Sequence, residues 1–171
     1  MLTNKTLSGV NLIELLAVLA LVGILTAIAI PTFFRYLQMN NISENAQKLY
    51  FNLQYAKSEA MKRNTTVFVV FQTGTNWCYG MNAGATCSCN TANSCGLGAV
   101  SATNADFSNL SLTSITGNAF TFEGTRGATY LNKGVVTFTL TNSTTAISIQ
   151  ISTFGNLLIC SANVSGYSAC S

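Results

Sequence analysis

A single carboxylate, Glu14, lies inside a long apolar run near the start of the chain. The run extends from Val10 to Ile30 and carries no other charged residue. As a helix it would rise about 1.5 Å per residue and reach about 30 Å, the thickness of a bilayer's hydrocarbon core. A carboxylate there costs about 2.5–3.5 kcal/mol, so a functional role for Glu14 is favoured over a merely tolerated interfacial glutamate. We therefore expect residues 10–30 to span a membrane.

Six cysteines and no histidine limit the chemistry of the remaining chain. Without histidine a Ser-His-Asp site is impossible, and the commonest general base and metal ligand is missing. The sequence also lacks a paired-carboxylate signature, a phosphate loop and an H-E-x-x-H motif. We therefore expect neither an enzyme nor a bound cofactor or metal. The net charge of +3 is too small to indicate a polyanionic partner by itself.

The cysteines favour disulfides over zinc, because C-x-C followed by C-x5-C lacks the paired C-x2-C spacing of structural zinc sites. A membrane anchor would also place them in an oxidising compartment. Cys160 and Cys170 stand apart from the rest and close a short loop, so we pair them. A bridge between Cys87 and Cys89 would span one residue and be strained. Two connectivities remain open: Cys78–Cys87 with Cys89–Cys95, or Cys78–Cys89 with Cys87–Cys95.

Past Pro31 a helical period continues to Arg63. The polar side carries Gln38, Asn41, Asn45, Lys48, Asn52, Glu59 and Lys62. The apolar side has a residue every three or four positions, namely Met39, Ile42, Ala46, Leu49, Leu53, Ala56 and Ala60. We expect one helix from about Asn11 to Arg63, kinked near Pro31. The alanine-rich stripe is better suited to packing under a sheet than to a coiled coil.

Several stretches within residues 65–171 show the period of two that is typical of antiparallel sheets. Every second residue is apolar in Val135–Thr141 and in Ala146–Ser152, and the residues between them are mostly Thr, Ser or Gln. Residues Met81–Ser101 have no period and are predicted to form a long loop held by cysteines. The expected fold class is α+β: a long N-terminal helix, part membrane anchor and part amphipathic, packed on an all-antiparallel β domain.

The start of the chain resembles the class III signal of type IV pilins and type II secretion pseudopilins. In that family a membrane peptidase cuts after a glycine, N-methylates the new first residue, and leaves a glutamate five residues past the cut to guide docking into a filament. The resemblance implies a 1–9 leader, cleavage between Gly9 and Val10, and methylation of Val10. It gives Glu14 and Pro31 roles in assembly. Val10 and Asn11 stand where phenylalanine and threonine are usual.

Later stretches are similar to the GspH/FimT branch of these proteins. Leu53–Asn64 resembles its L-x-x-A-R-x-E-A-x-x-R-N run, with Lys57 in place of the arginine, and Phe122–Gly127 resembles its Phe-x-x-x-x-Gly turn. Some members bind DNA through a Gly-Arg-x-Arg turn, but the matching turn here, Gly155–Leu158, lacks both arginines. Possible weak DNA contacts remain at Lys62, Arg63, Arg126 and Lys133.

The resemblance implies a structural minor pilin that is incorporated into, or primes, a type IV pilus. The alternatives are a GspH-type pseudopilin of a type II secretion system and a DNA-binding minor pilin for natural transformation. Implied partners are other pilin subunits, contacted through the N-terminal helix, the prepilin peptidase, and the inner membrane before assembly; DNA is not expected. The implied location is the bacterial inner membrane, crossed once with the C-terminal domain periplasmic, and then a pilus or pseudopilus at the cell surface.

Overall fold

The structure is a computed structural model that describes residues 11–74, 76–101, 110–114, 119–130, 135–141 and 145–170. The expected cleavage position at Gly9 and Val10 and the candidate DNA contact Lys133 lie outside the described residues. The chain divides into two compact units, Met1–Leu37 and Gln38–Ser171.

Helix α1 spans Leu12–Arg63 and continues through Pro31 without interruption. All described residues up to Asn41 are exposed. The two threonine hydroxyls in this part turn back onto the helix: Thr26 donates to the carbonyl oxygen of Val22 at 2.9 Å and Thr32 to that of Ile28 at 3.4 Å. The apolar surface is therefore interrupted by few unsatisfied polar atoms, as a lipid environment requires. The kink predicted near Pro31 stays a prediction.

One helix in the described part of the chain is long and apolar enough to cross a membrane. It is α1, whose most hydrophobic 18-residue window has a mean hydropathy of 2.7 and is 0% buried.

Within the second unit, one face of α1 joins the hydrophobic core. The predicted stripe is confirmed, since six of its members are at most 2% exposed: Ile42, Ala46, Leu49, Leu53, Ala56 and Ala60. Met39 is 40% exposed and lies outside the core. The helix ends at Arg63, and the positive φ of 47° at the next residue, Asn64, lets the Thr65 N–H donate to the carbonyl oxygen of Ala60 at 3.1 Å.

Two residues assigned to the polar side of α1 are buried instead, so that part of the prediction was wrong. Asn45 is 2% exposed and Glu59 is 4% exposed. Both have partners on their own helix, because Asn45 donates to the carbonyl oxygen of Asn41 at 2.9 Å and Glu59 pairs with Lys62 and Arg63. Such local partners offset the cost of burying a polar group.

Nine strands are described after the helix, all paired antiparallel. Their bounds are β1 Val67–Gln72, β2 Cys78–Ala83, β3 Ala99–Ser101, β4 Ser111–Ser114, β5 Ala119–Phe122, β6 Thr129–Tyr130, β7 Val135–Thr141, β8 Ala146–Ser152 and β9 Leu157–Cys160. They form a five-stranded sheet in the order β3-β2-β1-β5-β6 and a four-stranded sheet in the order β4-β7-β8-β9. This arrangement of one long helix on antiparallel sheets confirms the predicted fold class.

The predicted loop Met81–Ser101 was too long at both ends. Strand β2 continues to Ala83 because Met81, 3% exposed, pairs with Val69 in the middle of the sheet. Strand β3 then pairs with β2, leaving residues 84–98 as the connection. Small and polar residues extend as strands here because neighbouring strands supply the hydrogen bonds, an effect that a local period does not reveal.

Backbone hydrogen bonds join the two sheets at two places. Between β1 and β2, the Gly74 N–H donates to the carbonyl oxygen of Leu112 in β4 at 3.2 Å, and the Thr129 N–H in β6 donates to that of Thr153, just after β8, at 3.0 Å. The alternation predicted for Ala146–Ser152 is confirmed by three isoleucines at most 1% exposed. The side chains of Val136, Phe138 and Leu140 lie outside what the structure describes.

Candidate assembly site

Glu14 lies in the first turn of α1, where its backbone N–H donates to the carbonyl oxygen of Asn11 at 3.0 Å. A carboxylate is favoured near a helix N-terminus, because the N–H groups there point toward it. The large apolar residues beside it are 55–75% exposed: Leu12, Ile13, Leu15 and Leu16. Within the described residues no cation pairs with Glu14. Its carboxylate therefore lies in an apolar surface and can pair with a cation from another molecule.

The apolar surface around Glu14 continues along the first unit. Large apolar side chains from Leu12 to Leu37 are 45% or more exposed, and Pro31 lies among them. A monomeric soluble protein rarely exposes so much contiguous apolar area, so such a surface marks contact with lipid or with other proteins. We call the described residues 11–37 the apolar helix surface.

Lys57 joins three elements of the second unit. Its Nζ donates at 2.8 Å to the carbonyl oxygen of Gly155, in the turn between β8 and β9. Its carbon chain covers Gly127, where an added Cβ would lie 3.0 Å from Lys57 Cγ and 3.2 Å from Met61 Sδ. An ammonium donating to a carbonyl is a strong form of hydrogen bond. The lysine that replaces the branch's arginine thus ties the helix to two turns.

Those two turns meet through glycine. Gly127 and Gly155 have φ of +62° and +73°, values that disfavour other residues, and a Cβ on Gly155 would collide with the carbonyl oxygen of Gly127. Gly124 has a similar constraint, since an added Cβ would collide with the backbone of Asn64 and Thr65 at the end of the helix. The Phe-x-x-x-x-Gly stretch therefore packs closely on the end of the helix and on the turn at Gly155. We call the contact of Lys57 with Gly127 and Gly155 the joint.

The candidate DNA contacts do not form one group of unpaired cations. Lys62 Nζ lies 3.1 Å from Glu59 Oε1 and Arg63 Nε lies 2.5 Å from Glu59 Oε2. The hydrogen bond from Arg63, followed by that from Lys62, holds the pKa of Glu59 below its ordinary value. Arg126 is exposed in the turn after β5. Two of the four cations therefore share a single carboxylate.

The structure pairs all six cysteines. Cys160 is bonded to Cys170, and of the two connectivities left open by the sequence it has Cys78–Cys89 with Cys87–Cys95. Gly80 lies beneath this second pair, because a Cβ there would collide with the Sγ of Cys95. The disulfide loop is thus packed directly on β2, a role for glycine that the sequence alone did not reveal.

The Trp-Cys-Tyr-Gly stretch around β2 is buried. Trp77 Nε1 donates to the carbonyl oxygen of Leu110 at 2.8 Å, and Asn52 Nδ2 donates to the Tyr79 hydroxyl at 2.7 Å. Burial raises the pKa of Tyr79 to about 12. Each polar atom on these rings has a partner, so the aromatic pair can fill the core at little polar cost.

Comparison with known proteins identifies the family. The model of the family described as Type II transport protein GspH matches residues 45–155, about two thirds of the chain. The chain belongs to the GspH family. The match includes the Lys57, Gly127 and Gly155 joint but not the apolar helix surface.

Two crystal structures resemble the GspH-family chain in fold. Both are of the type IV minor pilin FimU from Pseudomonas aeruginosa strain PAO1. The first has 18% identity and a TM-score of 0.56, and the match covers 72% of this chain and 91% of that one. The second has 20% identity and a TM-score of 0.52, and covers 68% and 90%. A search of curated proteins found no match.

The family and the fold together support the role of a minor pilin or pseudopilin subunit. They are those of structural pilins, and membership implies assembly with other pilin subunits. The long apolar helix suits a membrane-anchored subunit of this kind.

Proposed function

We propose that this GspH-family protein is a minor pilin that enters, or primes, a type IV pilus. The observation that carries the proposal is the apolar helix surface, whose large apolar side chains are 45% or more exposed. Such a surface needs lipid before assembly and other apolar helices afterwards. We assign residues 1–9 as leader, 10–30 as the span, 31–64 as its amphipathic continuation and 65–171 as the periplasmic domain.

Processing would supply the positively charged partner that Glu14 lacks among the described residues. A prepilin peptidase would cut between Gly9 and Val10 and methylate the new amine, which stays positively charged. In a filament, Glu14 would pair with the Val10 amine of a neighbouring subunit. Because an unpaired charge in an apolar medium is costly, this ion pair favours one register of docking over all others. Pro31 would shape the helix within the same surface. The proposed subunit has no catalytic activity of its own.

Two measurements test this proposal. Intact mass of the mature protein should show a chain that begins at methylated Val10. A chain that still begins at Met1, or one that is cut beyond Ile30, would contradict cleavage by a prepilin peptidase. Glu14→Gln should insert into the membrane but be depleted from purified pili. The matched control is Glu44→Gln, because Glu44 is on the same helix and pairs with Lys48 at 3.0 Å on the surface. Equal incorporation of both variants would contradict the role of Glu14.

A second candidate function is that of a pseudopilin in a type II secretion system, which the GspH family model favours. The two roles predict different losses in a deletion strain. Deletion of a pilus subunit should leave secretion of folded enzymes intact and reduce the number of surface pili. Deletion of a pseudopilin should reduce secretion and leave surface pili intact. We expect the first result, together with detection of the protein in sheared pili.

A further inference from the structure

The loop of residues 161–170 touches both the helix and the second sheet, and the Cys160–Cys170 bridge closes it. We propose that this loop is a strap, opened by reduction of its own disulfide, that fastens the first covered turns of α1 and the edge of β9. The proposal stands independently of the role in a pilus.

On the helix, the strap is attached through one tyrosine. The Tyr167 hydroxyl lies 2.5 Å from the Ser43 Oγ and accepts from Gln47 Nε2 at 3.2 Å. Ser43 and Gln47 are one turn apart on one face of α1. They lie just after the residue where burial of the helix begins, Ile42. Val164 and Tyr167 also pack on the hydrophobic core. The strap therefore holds α1 at the beginning of its covered part.

On the sheet, the strap runs beside the edge strand β9. Ser168 forms an isolated parallel bridge with Cys160, and the Ser161 N–H donates to the Ser168 carbonyl oxygen at 2.9 Å. The Ser161 hydroxyl donates to the carbonyl oxygen of Ala146 at 2.7 Å. Strand Leu157–Cys160 carries no charge. An uncharged, apolar edge invites pairing with another chain, and the strap covers one end of it.

Both attachments lie inside the closed loop, so they depend on the same bond. Most of the loop is exposed and few of its residues reach the core. Without the bridge, the entropy gained by the released loop opposes both attachments together.

The bridge is also placed to be opened selectively. Among the six cysteines, Cys170 alone is an exposed residue, whereas Cys160 is fully buried. The thiolate of a dithiol reductant can therefore attack Cys170 Sγ, so that the S–S bond breaks and Cys160 leaves as a thiolate that takes up a proton. The second thiol of the reductant then displaces Cys170, giving two protein thiols and one oxidised dithiol.

Hydrogen exchange on the full-length protein in detergent micelles tests the strap. The variant Cys160→Ser/Cys170→Ser should speed exchange of the amides of residues 43–48 and of Ser161 by about fivefold or more, the change expected for loss of one ordinary hydrogen bond. The matched control, Cys87→Ser/Cys95→Ser, also removes a bridge but should leave those amides unchanged. Unchanged exchange at 43–48 in the first variant, or the same increase in the control, would overturn the proposal.

Two further measurements keep the test decisive if removing the bridge disturbs the whole domain, which exchange at Leu53–Ala60 would reveal. Tyr167→Phe keeps the bridge and the ring, and should speed exchange at 43–48 but not at Ser161. Limited treatment with a dithiol, followed by alkylation and peptide mapping, should label Cys160 and Cys170 before the other four cysteines. No change in Tyr167→Phe, or earlier opening of another bridge, would contradict the strap.

Discussion

At the scale of single residues, Lys57 stands where the branch usually has arginine, and it offers one ammonium in place of a guanidinium with five donors. Its hydrogen bond to the Gly155 carbonyl and its cover over Gly127 hold two turns against the helix. Lys57→Met keeps most of the chain length but leaves that carbonyl without its charged donor. We expect a loss of about 1–2 kcal/mol in the free energy of unfolding, measured by urea with the fluorescence of the single tryptophan, Trp77. Lys57→Arg should recover most of it, and an unchanged midpoint in Lys57→Met would contradict the joint.

Glu59 gives a pH dependence with a definite sign. Its pKa is lowered in the folded state, chiefly by the hydrogen bond from Arg63 and then by that from Lys62. A lowered folded pKa means that the unfolded chain binds the proton more readily, so the stabilisation is complete above the unfolded pKa and is lost as pH falls through the folded one. Glu59→Gln should therefore reduce stability at pH 7 and flatten the acid side of the stability curve.

The control for this pH prediction is Glu44→Gln. Glu44 is exposed and pairs with Lys48 on the helix surface, where such pairs contribute little. Thermal unfolding from pH 3 to pH 7 should separate the two variants. An acid limb as steep in Glu59→Gln as in the unaltered protein would show that Glu59 is not the group responsible.

At the scale of elements, what a regular period dictates could be predicted and what depends on a distant partner could not. The helix Leu12–Arg63 and its buried stripe follow from apolar residues three and four apart. Burial of Asn45 and Glu59 does not, because the helical period assigns both to the polar side, and only the packing of the folded domain decides how wide the covered face of the helix is. The extension of β2 to Ala83 depends on pairing with β1, which no local pattern records.

Individual residues show the same division. Glu14 is evident in sequence because a charge interrupts an apolar run. The contact of Tyr167 with Ser43 joins positions 124 residues apart, and only the folded chain brings them together. The disulfide connectivity was reduced to two choices by the strain of a C-x-C bridge, and the final choice required the path of the loop over β2.

Gly80 provides a test of how closely the disulfide loop packs on β2. An added methyl would collide with the Sγ of Cys95, which its bridge to Cys87 prevents from moving far. Gly80→Ala should therefore cost about 1–3 kcal/mol. In the Cys87→Ser/Cys95→Ser background the same substitution should cost less, because the loop can shift away. Urea unfolding of all four proteins gives this coupling. Equal costs in the two backgrounds would mean that the bridge does not constrain the contact.

At the scale of the whole molecule, charge is scarce, and its distribution bears on whether the protein binds DNA. The chain has eight Lys and Arg residues against five carboxylates, and Lys62 and Arg63 share Glu59. Near the turn at Gly155, where DNA-binding members of the branch carry Gly-Arg-x-Arg, the exposed large side chains are apolar: Phe154 is 78% and Leu158 is 44% exposed. Phosphate binding needs several cations on one surface, and the charges of Lys62 and Arg63 are already paired with Glu59.

We therefore expect little binding of double-stranded DNA at physiological salt, measured by fluorescence anisotropy. Asn156→Arg/Leu158→Arg restores the two missing cations beside Gly155, and should bind more tightly, with a salt slope steeper by about 0.9 for each new phosphate contact. Asn93→Arg/Asn163→Arg adds the same charge at two exposed positions elsewhere and should gain much less, because only cations placed on one surface neutralise adjacent phosphates. Tight, salt-sensitive binding by the unaltered protein would overturn this expectation and direct substitution to Lys62, Arg63, Arg126 and Lys133.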